Sequence, residues 1–271
     1  HYFDDIKYGF VSYSRQYKNI GTFGVGMQHV SYGSFIEADP TGYITGSFTG
    51  YDMAVVLSYS RPIDSLFSFG VNIKPVFSQM ERYSSMGISL DIGLSYVNRE
   101  GLFAAGLVAR NMGSMIKPYN PDAWESLPFE LVAGISQKLK HAPFRFVLTF
   151  HQLQTYSLYF KREEDSTPIG FGDQEARPDS FFEKLGNEAM SHVIIGVEFI
   201  PVKSFIFRAG FNSQRRHELK IPDYASTVGL SWGFGIRLKR FSINYGRATY
   251  HLVGSSNHFS ISTNFQNFVS Q

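Results

Sequence analysis

Nine charged side chains stand inside otherwise apolar stretches of this chain: Asp52, Lys74, Asp91, Arg110, Glu130, Arg145, Glu198, Arg208 and Arg237. Each is flanked by apolar or small residues at the next positions, so each belongs to one face of an alternating segment. Both signs occur in similar number. Such a set can pair, line a polar path, hold an inner plug, or simply stiffen a wet interior. Asp91, Arg110, Glu130, Arg145, Arg208 and Arg237 are the main candidates for these roles. Other chemistry fares worse. His251, Ser255, Ser256 and His258 could in principle serve a hydrolase or acyltransferase at a rim, but their spacing fits no nucleophile–base pattern, and a polar rim accounts for them. No two histidines have the helical i, i+4 spacing of a zinc site, and Cys is 0, so no metal site or cofactor is expected. Gly24-Val25-Gly26 and Gly233-Phe234-Gly235 lie inside strand patterns with no helix after them, which excludes phosphate loops. They read instead as small residues on an inner face.

The elements that position these charges follow from a period of two. From Val228 to Leu238, the residues Val228, Leu230, Trp232, Phe234, Ile236 and Leu238 are apolar, and Gly229, Ser231, Gly233, Gly235 and Arg237 fall between them. Phe205, Phe207, Ala209 and Phe211 alternate with Ser204, Arg208, Gly210 and Asn212. Ile88, Leu90, Ile92 and Leu94 alternate with Ser89, Asp91 and Gly93. A strand sends successive side chains to opposite faces, so each segment has one greasy face and one small, polar or charged face. A barrel with lipid outside and water inside needs this pattern. A charge facing lipid at mid-depth would cost about 2–4 kcal/mol, which places the charged set in the lumen.

About 13 strands are predicted. They run near Asp5–Tyr17, Gly21–Gly33, Ser47–Ser60, Ser65–Met80, Tyr83–Asn98, Gly101–Met112, Leu127–Leu139, Pro143–Phe160, Glu188–Ile200, Ser204–Ser213, Ala225–Lys239, Phe241–Tyr250 and Ser255–Phe268. Short turns such as Lys18-Asn19-Ile20 and Arg61-Pro62-Ile63-Asp64 alternate with longer connections near Ser34–Gly46, Gly113–Ser126, Lys161–Asn187 and Gln214–Tyr224. Outer-membrane barrels have short periplasmic turns and long outer loops. The first and last strands then both descend toward the short-turn side. An even count requires one strand before His1. The expectation is therefore an all-β, 14-stranded antiparallel transmembrane β-barrel in the bacterial outer membrane, about 13 of whose strands lie in this chain. Residues 1–271 form its single domain, with the first strand upstream. Pro75, inside a strand, lacks a ladder donor and predicts a bulge or a local opening.

Composition agrees. Aromatics reach 16%, with Phe 26 and Tyr 16, and they gather near segment ends, as membrane-interface girdles do. No run of about 18 apolar residues occurs, which excludes a transmembrane helix and leaves a strand-built membrane protein open. A net charge of +2 with no basic, aromatic-interleaved run gives no basis for nucleic-acid binding. Two connections carry aromatics suited to contact with a partner or anchoring at the interface. These are Tyr119 and Trp124 in the 113–126 loop, and Phe181 and Phe182 in the 161–187 loop.

The turn and strand-end motifs also resemble a known family. They are Tyr2-Phe3-Asp4-Asp5-Ile6-Lys7-Tyr8-Gly9, Ile20-Gly21-Thr22-Phe23, Tyr32-Gly33-Ser34-Phe35 with Glu37-Ala38-Asp39, and Arg110-Asn111-Met112-Gly113 with Lys117-Pro118-Tyr119. Leu127-Pro128-Phe129-Glu130 with Leu139-Lys140-His141-Ala142-Pro143-Phe144-Arg145 completes the set. Together they are similar to the PorQ outer-membrane proteins of the type IX secretion system of Bacteroidetes, over nearly the whole chain. That family is related to PorV and to the FadL-like long-chain fatty-acid transporters, whose barrels carry an N-terminal hatch upstream of the region seen here. The resemblance implies a non-enzymatic member of the surface attachment complex. It would anchor a PorZ-like surface protein, with PorU- and PorV-like components, while cargo is processed and joined to lipopolysaccharide. The kinship with lipid transporters implies the alternative of a transporter of hydrophobic molecules.

Overall fold

The computed structural model describes residues 6–122, 124, 126–158, 186, 188–219, 227–250 and 254–265. One antiparallel sheet of 13 strands dominates them, with each strand paired to the next in chain order. The strands are β1 (Lys7–Tyr17), β2 (Gly21–Ala38), β3 (Ile44–Pro62), β4 (Phe67–Met80), β5 (Tyr83–Val97), β6 (Phe103–Lys117), β7 (Glu130–Lys138), β8 (Phe144–Phe150), β9 (Val193–Val202), β10 (Phe205–Asn212), β11 (Leu230–Arg237), β12 (Phe241–Thr249) and β13 (Ser255–Thr263). A short helix, α1 (Ser213–Leu219), follows β10, and residues 188–191 before β9 are also helical. Among the described residues β1 and β13 share no ladder and form the two edges of the sheet. The sheet nevertheless curls round. Tyr13 of β1 and Phe265, just beyond β13, bring their ring centroids to 6.3 Å.

The ladder registers carry the alternation from strand to strand across the sheet. Val25 faces Leu57, Leu57 faces Ile73, Leu94 faces Leu107, Ile135 faces Leu148, and Leu148 faces Ile195. These residues share one face, and Val25, Leu57, Ile73, Ile92, Leu94, Leu107, Ile135, Phe146, Ile195, Phe207 and Trp232 are all exposed on it. A water-soluble chain rarely leaves such an area of large apolar side chains open. Conversely, the apolar core is tiny: among the described residues only Ile206 and Val228 are buried hydrophobics. The greasy face is turned to lipid.

Its lower border is an aromatic belt beside the short turns. Ring centroids lie 5.9 Å apart for Tyr17 and Phe23, 5.0 Å for Phe23 and Tyr59, and 5.9 Å for Tyr59 and Phe69. Phe67, Tyr96 and Phe103 continue the belt, with separations of 5.0 and 6.1 Å. Such rings have an apolar body and, in tyrosine, a polar tip, which suits the headgroup level. The Tyr59 hydroxyl finds the Ile20 carbonyl at 2.7 Å. The short turns are closed by side chains. Asp64 Oδ1 accepts the Leu66 and Phe67 amides, each at 2.7 Å, and Asn98 Oδ1 accepts those of Leu102 and Phe103.

Several predicted bounds are corrected. The connection expected near 34–46 is mostly strand, so β2 and β3 form a long hairpin closed by a short turn at 39–43. There Asp39 Oδ1 accepts the Thr41 and Tyr43 amides at 2.9 and 3.0 Å, a local turn chemistry that the Gly- and Pro-bearing sequence did not distinguish from a longer loop. Strand β6 likewise runs on to Lys117. Strand β8 stops at Phe150, short of the expected end. Helix α1 occupies part of the connection predicted near 214–224. Pro75 makes no register shift. The β3–β4 ladder omits Val55 and Val56, opposite Pro75 and Lys74, and resumes in the same register. A missing N–H therefore opens the ladder locally without a bulge.

Two positions on β5 offer a direct check of which face meets lipid. Ile92 lies on the greasy face and Ser95 on the other. Ile92→Arg is expected to destabilise the chain folded into lipid vesicles by about 2–4 kcal/mol. Ser95→Arg should cost far less, as read by urea unfolding. Equal costs would contradict the assignment.

Candidate functional site

The opposite face carries the charges, and neighbouring strands bring them together. Lys138 of β7 stands opposite Arg145 of β8, Arg145 opposite Glu198 of β9, and Glu198 opposite Arg208 of β10. Glu198 holds both guanidiniums: Oε2 lies 3.2 Å from Arg145 Nη1, and Oε1 lies 2.9 Å from Arg208 Nε. Arg208 Nη1 also donates to Asn244 Oδ1 of β12 at 3.1 Å. Arg237 ends β11 on the same face, opposite Ser242.

A second cluster is built on Asp91, which is 7% exposed. Its carboxylate accepts from Lys74 Nζ at 2.7 Å, from Asn72 Nδ2 at 3.2 Å and from the Asn111 amide at 2.9 Å. Lys74 Nζ also donates to Asn111 Oδ1 at 2.7 Å. Asn111 has φ 58 and sits where the β5–β6 register shifts, between the pairs Leu90–Met112 and Ile92–Ala109. Asp91 therefore captures the amide that the bulge releases from the ladder, and so pins the register of β5 on β6. Arg110, next along β6, pairs with Glu130 of β7. Nearer the long-loop side, Asp52 accepts from the hydroxyls of Tyr32 and Ser78.

The four predicted loop aromatics fall in different places. The Tyr119 hydroxyl donates to Ser78 Oγ, which draws this ring over the wall that holds Asp52. Trp124 is 63% exposed. Phe181 and Phe182 lie outside the described residues. The rim set divides: Arg247 Nη2 donates to Ser255 Oγ at 3.4 Å, Ser256 Oγ donates to the Ala248 carbonyl at 3.5 Å on the other face, and His258 lies opposite Gly246. His251 is outside the described residues.

Sequence reasoning missed the pair His151 and His192, whose partners are 41 positions apart in the chain. His192 Nδ1 donates to the His151 carbonyl at 2.9 Å, and the His151 amide returns a bond of 3.0 Å to the His192 carbonyl. His151 is buried, and its Nε2 has no protein partner among the described residues. Burial holds the His151 pKa below the usual imidazole value, against the pull of Glu130 and Glu218. No group of three or more His, Asp or Glu among the described residues is placed to hold a metal ion.

One large cavity of about 1890 Å³ lies against β1 and β8–β13. Its polar side is formed by Glu198, Arg208, Asn244, Ser231, Ser260 and His258, and Tyr8 and Phe10 of β1 line it as well. Trp232, Tyr245 and Phe259, from the greasy face, also reach it, because it follows the unpaired edges of β1 and β13.

No family model matches the chain, and no curated protein matches it. Solved structures do. The Pseudomonas putida toluene transporter TodX is 14% identical, with a TM-score of 0.50 over 95% of this chain and 84% of TodX. The deltaS2 mutant of the TodX monoaromatic hydrocarbon channel gives the same identity and TM-score over 94% of this chain and 80% of that one. The Ralstonia pickettii toluene transporter TbuX is 11% identical, with a TM-score of 0.42 over 94% and 85% of the two chains. At these identities the likeness is one of fold: an all-β, antiparallel barrel of the outer-membrane type.

His151 gives the site a pH dependence whose sign is fixed. A histidine with a lowered folded-state pKa contributes stability that is fully present above its unfolded value of about 6.5 and is lost as pH falls through the folded one. Acid unfolding of the barrel should therefore begin at higher pH than in a His151→Gln variant. Superimposable pH profiles from heat-modifiable gel mobility would contradict this.

Proposed function

We propose that the chain is an outer-membrane channel through which small hydrophobic molecules pass. The observation that carries this reading is the cavity inside the sheet, where Tyr8 and Phe10 of the inner face stand with a wall of small and polar residues. Ligand sites combine apolar surface with a few fixed polar groups in this way. The volume of about 1890 Å³ exceeds what one monoaromatic molecule needs. Likeness to a toluene transporter along nearly the whole chain supports the same reading. Expression in a Gram-negative host should raise the rate of toluene uptake over empty-vector cells, without raising uptake of a neutral sugar of larger size. An unchanged toluene rate, with the folded barrel present in the outer-membrane fraction, would overturn the proposal.

One observation favours a second reading. Strand β2 has 18 residues. Tilted by about 40°, a strand of that length climbs roughly 45 Å, against an apolar band of about 25 Å. The β2–β3 hairpin thus overhangs the membrane, and Ile36, Tyr43 and Ile44 near its tip are 72%, 74% and 62% exposed. Phe35 and Phe48 stack below them at 5.2 Å. An exposed apolar tip held by a stiff hairpin suits a docking role, as expected of a PorQ-like anchor for a PorZ-like protein in a type IX attachment complex. Replacing Ile36 and Ile44 together by Asp should abolish recovery of a PorZ-like surface protein with the tagged barrel from a Bacteroidetes host. Undiminished recovery would count against the anchor.

A further inference from the structure

We propose that Arg208 and Arg145 form an anion-binding site in the lumen, and that the channel accepts small aromatic carboxylates there; this rests on the channel reading above. Charge comes first. Across β7–β11 the inner face carries Lys138, Arg145, Arg208 and Arg237, and its carboxylates among the described residues are Glu198 and Glu130, the latter already paired with Arg110 of β6. Glu198 is shared by two guanidiniums, so it neutralises one of them. Lys138 and Arg237 have no carboxylate partner among the described residues. The neighbouring wall does not offset this excess: the inner positions of β1 are Tyr8, Phe10, Ser12, Ser14 and Gln16.

Donor supply comes second. A guanidinium has five N–H donors in a planar fork. Arg208 spends Nε–H on Glu198 and one Nη1–H on Asn244, and Arg145 spends one on Glu198. Donors remain on both, and each side chain is more than a third exposed. Bidentate recognition of a carboxylate is the chemistry such a fork does best.

Space comes third. Arg208 faces Gly233 across β10 and β11, and Gly233 faces Gly246 across β11 and β12. No side chain rises beside the guanidinium along this row. Gly233 admits none, since a Cβ there would meet the Tyr245 carbonyl at 2.5 Å. Above Gly246 there is open space. The cavity covers these glycines, and Tyr8 and Phe10 line the same cavity. A flat ring can lie over the glycine floor with its carboxylate on Arg208. A neutral ring fills the same space without the charge-assisted bonds.

The test uses the purified chain in detergent and equilibrium dialysis against radiolabelled benzoate or benzamide. Benzoate should bind about tenfold more tightly than benzamide, as one additional charge-assisted contact implies. Its affinity should fall about tenfold in Arg208→Gln, with the barrel's heat-modifiable mobility showing that the variant is folded. Arg145→Gln serves if Arg208→Gln does not fold. Equal affinities for benzoate and benzamide in the unaltered chain overturn the proposal by themselves, as does undiminished benzoate binding in a folded variant. Toluene uptake in cells has no charged group to read, so the channel reading and this site fail separately.

Discussion

Hydrocarbon offers no partner to a peptide N–H or C=O, and every other feature of this chain answers to that fact. No helix among the described residues is long and apolar enough to cross lipid, so here those groups are satisfied by pairing each strand with the next. The sheet then has to present apolar side chains at every second position on its outer face, whatever stands on the inner one. This explains why Ile206 and Val228 are the buried hydrophobics among the described residues while many large apolar side chains lie open. The usual inward-directed hydrophobic core is replaced by a ring of contacts with lipid and by ladders between neighbours.

Once the outer face is committed to lipid, specificity has to be written on the inner face. Its charges sit where neighbouring strands make them meet, and they do structural work as well as electrostatic work. Asp91 holds the displaced amide of Asn111, so a single carboxylate fixes a bulge, two strands and the position of Lys74. Glu198 ties β8 to β10 through β9. Because the Glu198 pairs face a wet interior, their net contribution to stability is modest, but their geometry sets where unpaired positive charge remains. That remainder, and not the ion pairs themselves, is what a solute in the cavity would sense.

Much of this was legible in the residue order. Thirteen strands follow from period-two alternation, and Asp91, Arg110, Glu130, Arg145, Arg208 and Arg237 all share the inner face in the registers. What could not be read was long-range or carried by a turn. The hairpin of β2 and β3 looked like a loop because Asp39-Pro40-Thr41-Gly42 signals a turn without saying how far the strands persist on either side of it. Pro75 suggested a bulge or a local opening without deciding between them, and the ladder opens there by leaving out two partners. His151 and His192 meet only because β8 and β9 lie side by side, and no spacing rule connects residues so far apart. Tyr119 read as a contact for a partner or an anchor at the interface, and the bond from its hydroxyl to Ser78, 41 positions away, had no signal in the sequence.

Channel and anchor need not compete for this chain, because they draw on separate parts of it. The lumen reading depends on the inner faces of β1 and β8–β13, and the docking reading on the overhang of β2 and β3. On one side β1 is laddered directly to β2, and on the other β4–β7, with the Asp91 network, stand between the hairpin and the cavity. The overhang of β2 past Ser31 is laddered to β3 and extends past the end of β1, so a protein seated on the hairpin tip would touch no residue that lines the cavity. The two functions could then be held by one barrel without coupling. A solute could cross whether or not a partner were bound, and partner affinity would be indifferent to the solute, since reciprocal coupling requires an element with two arrangements that both ligands bias.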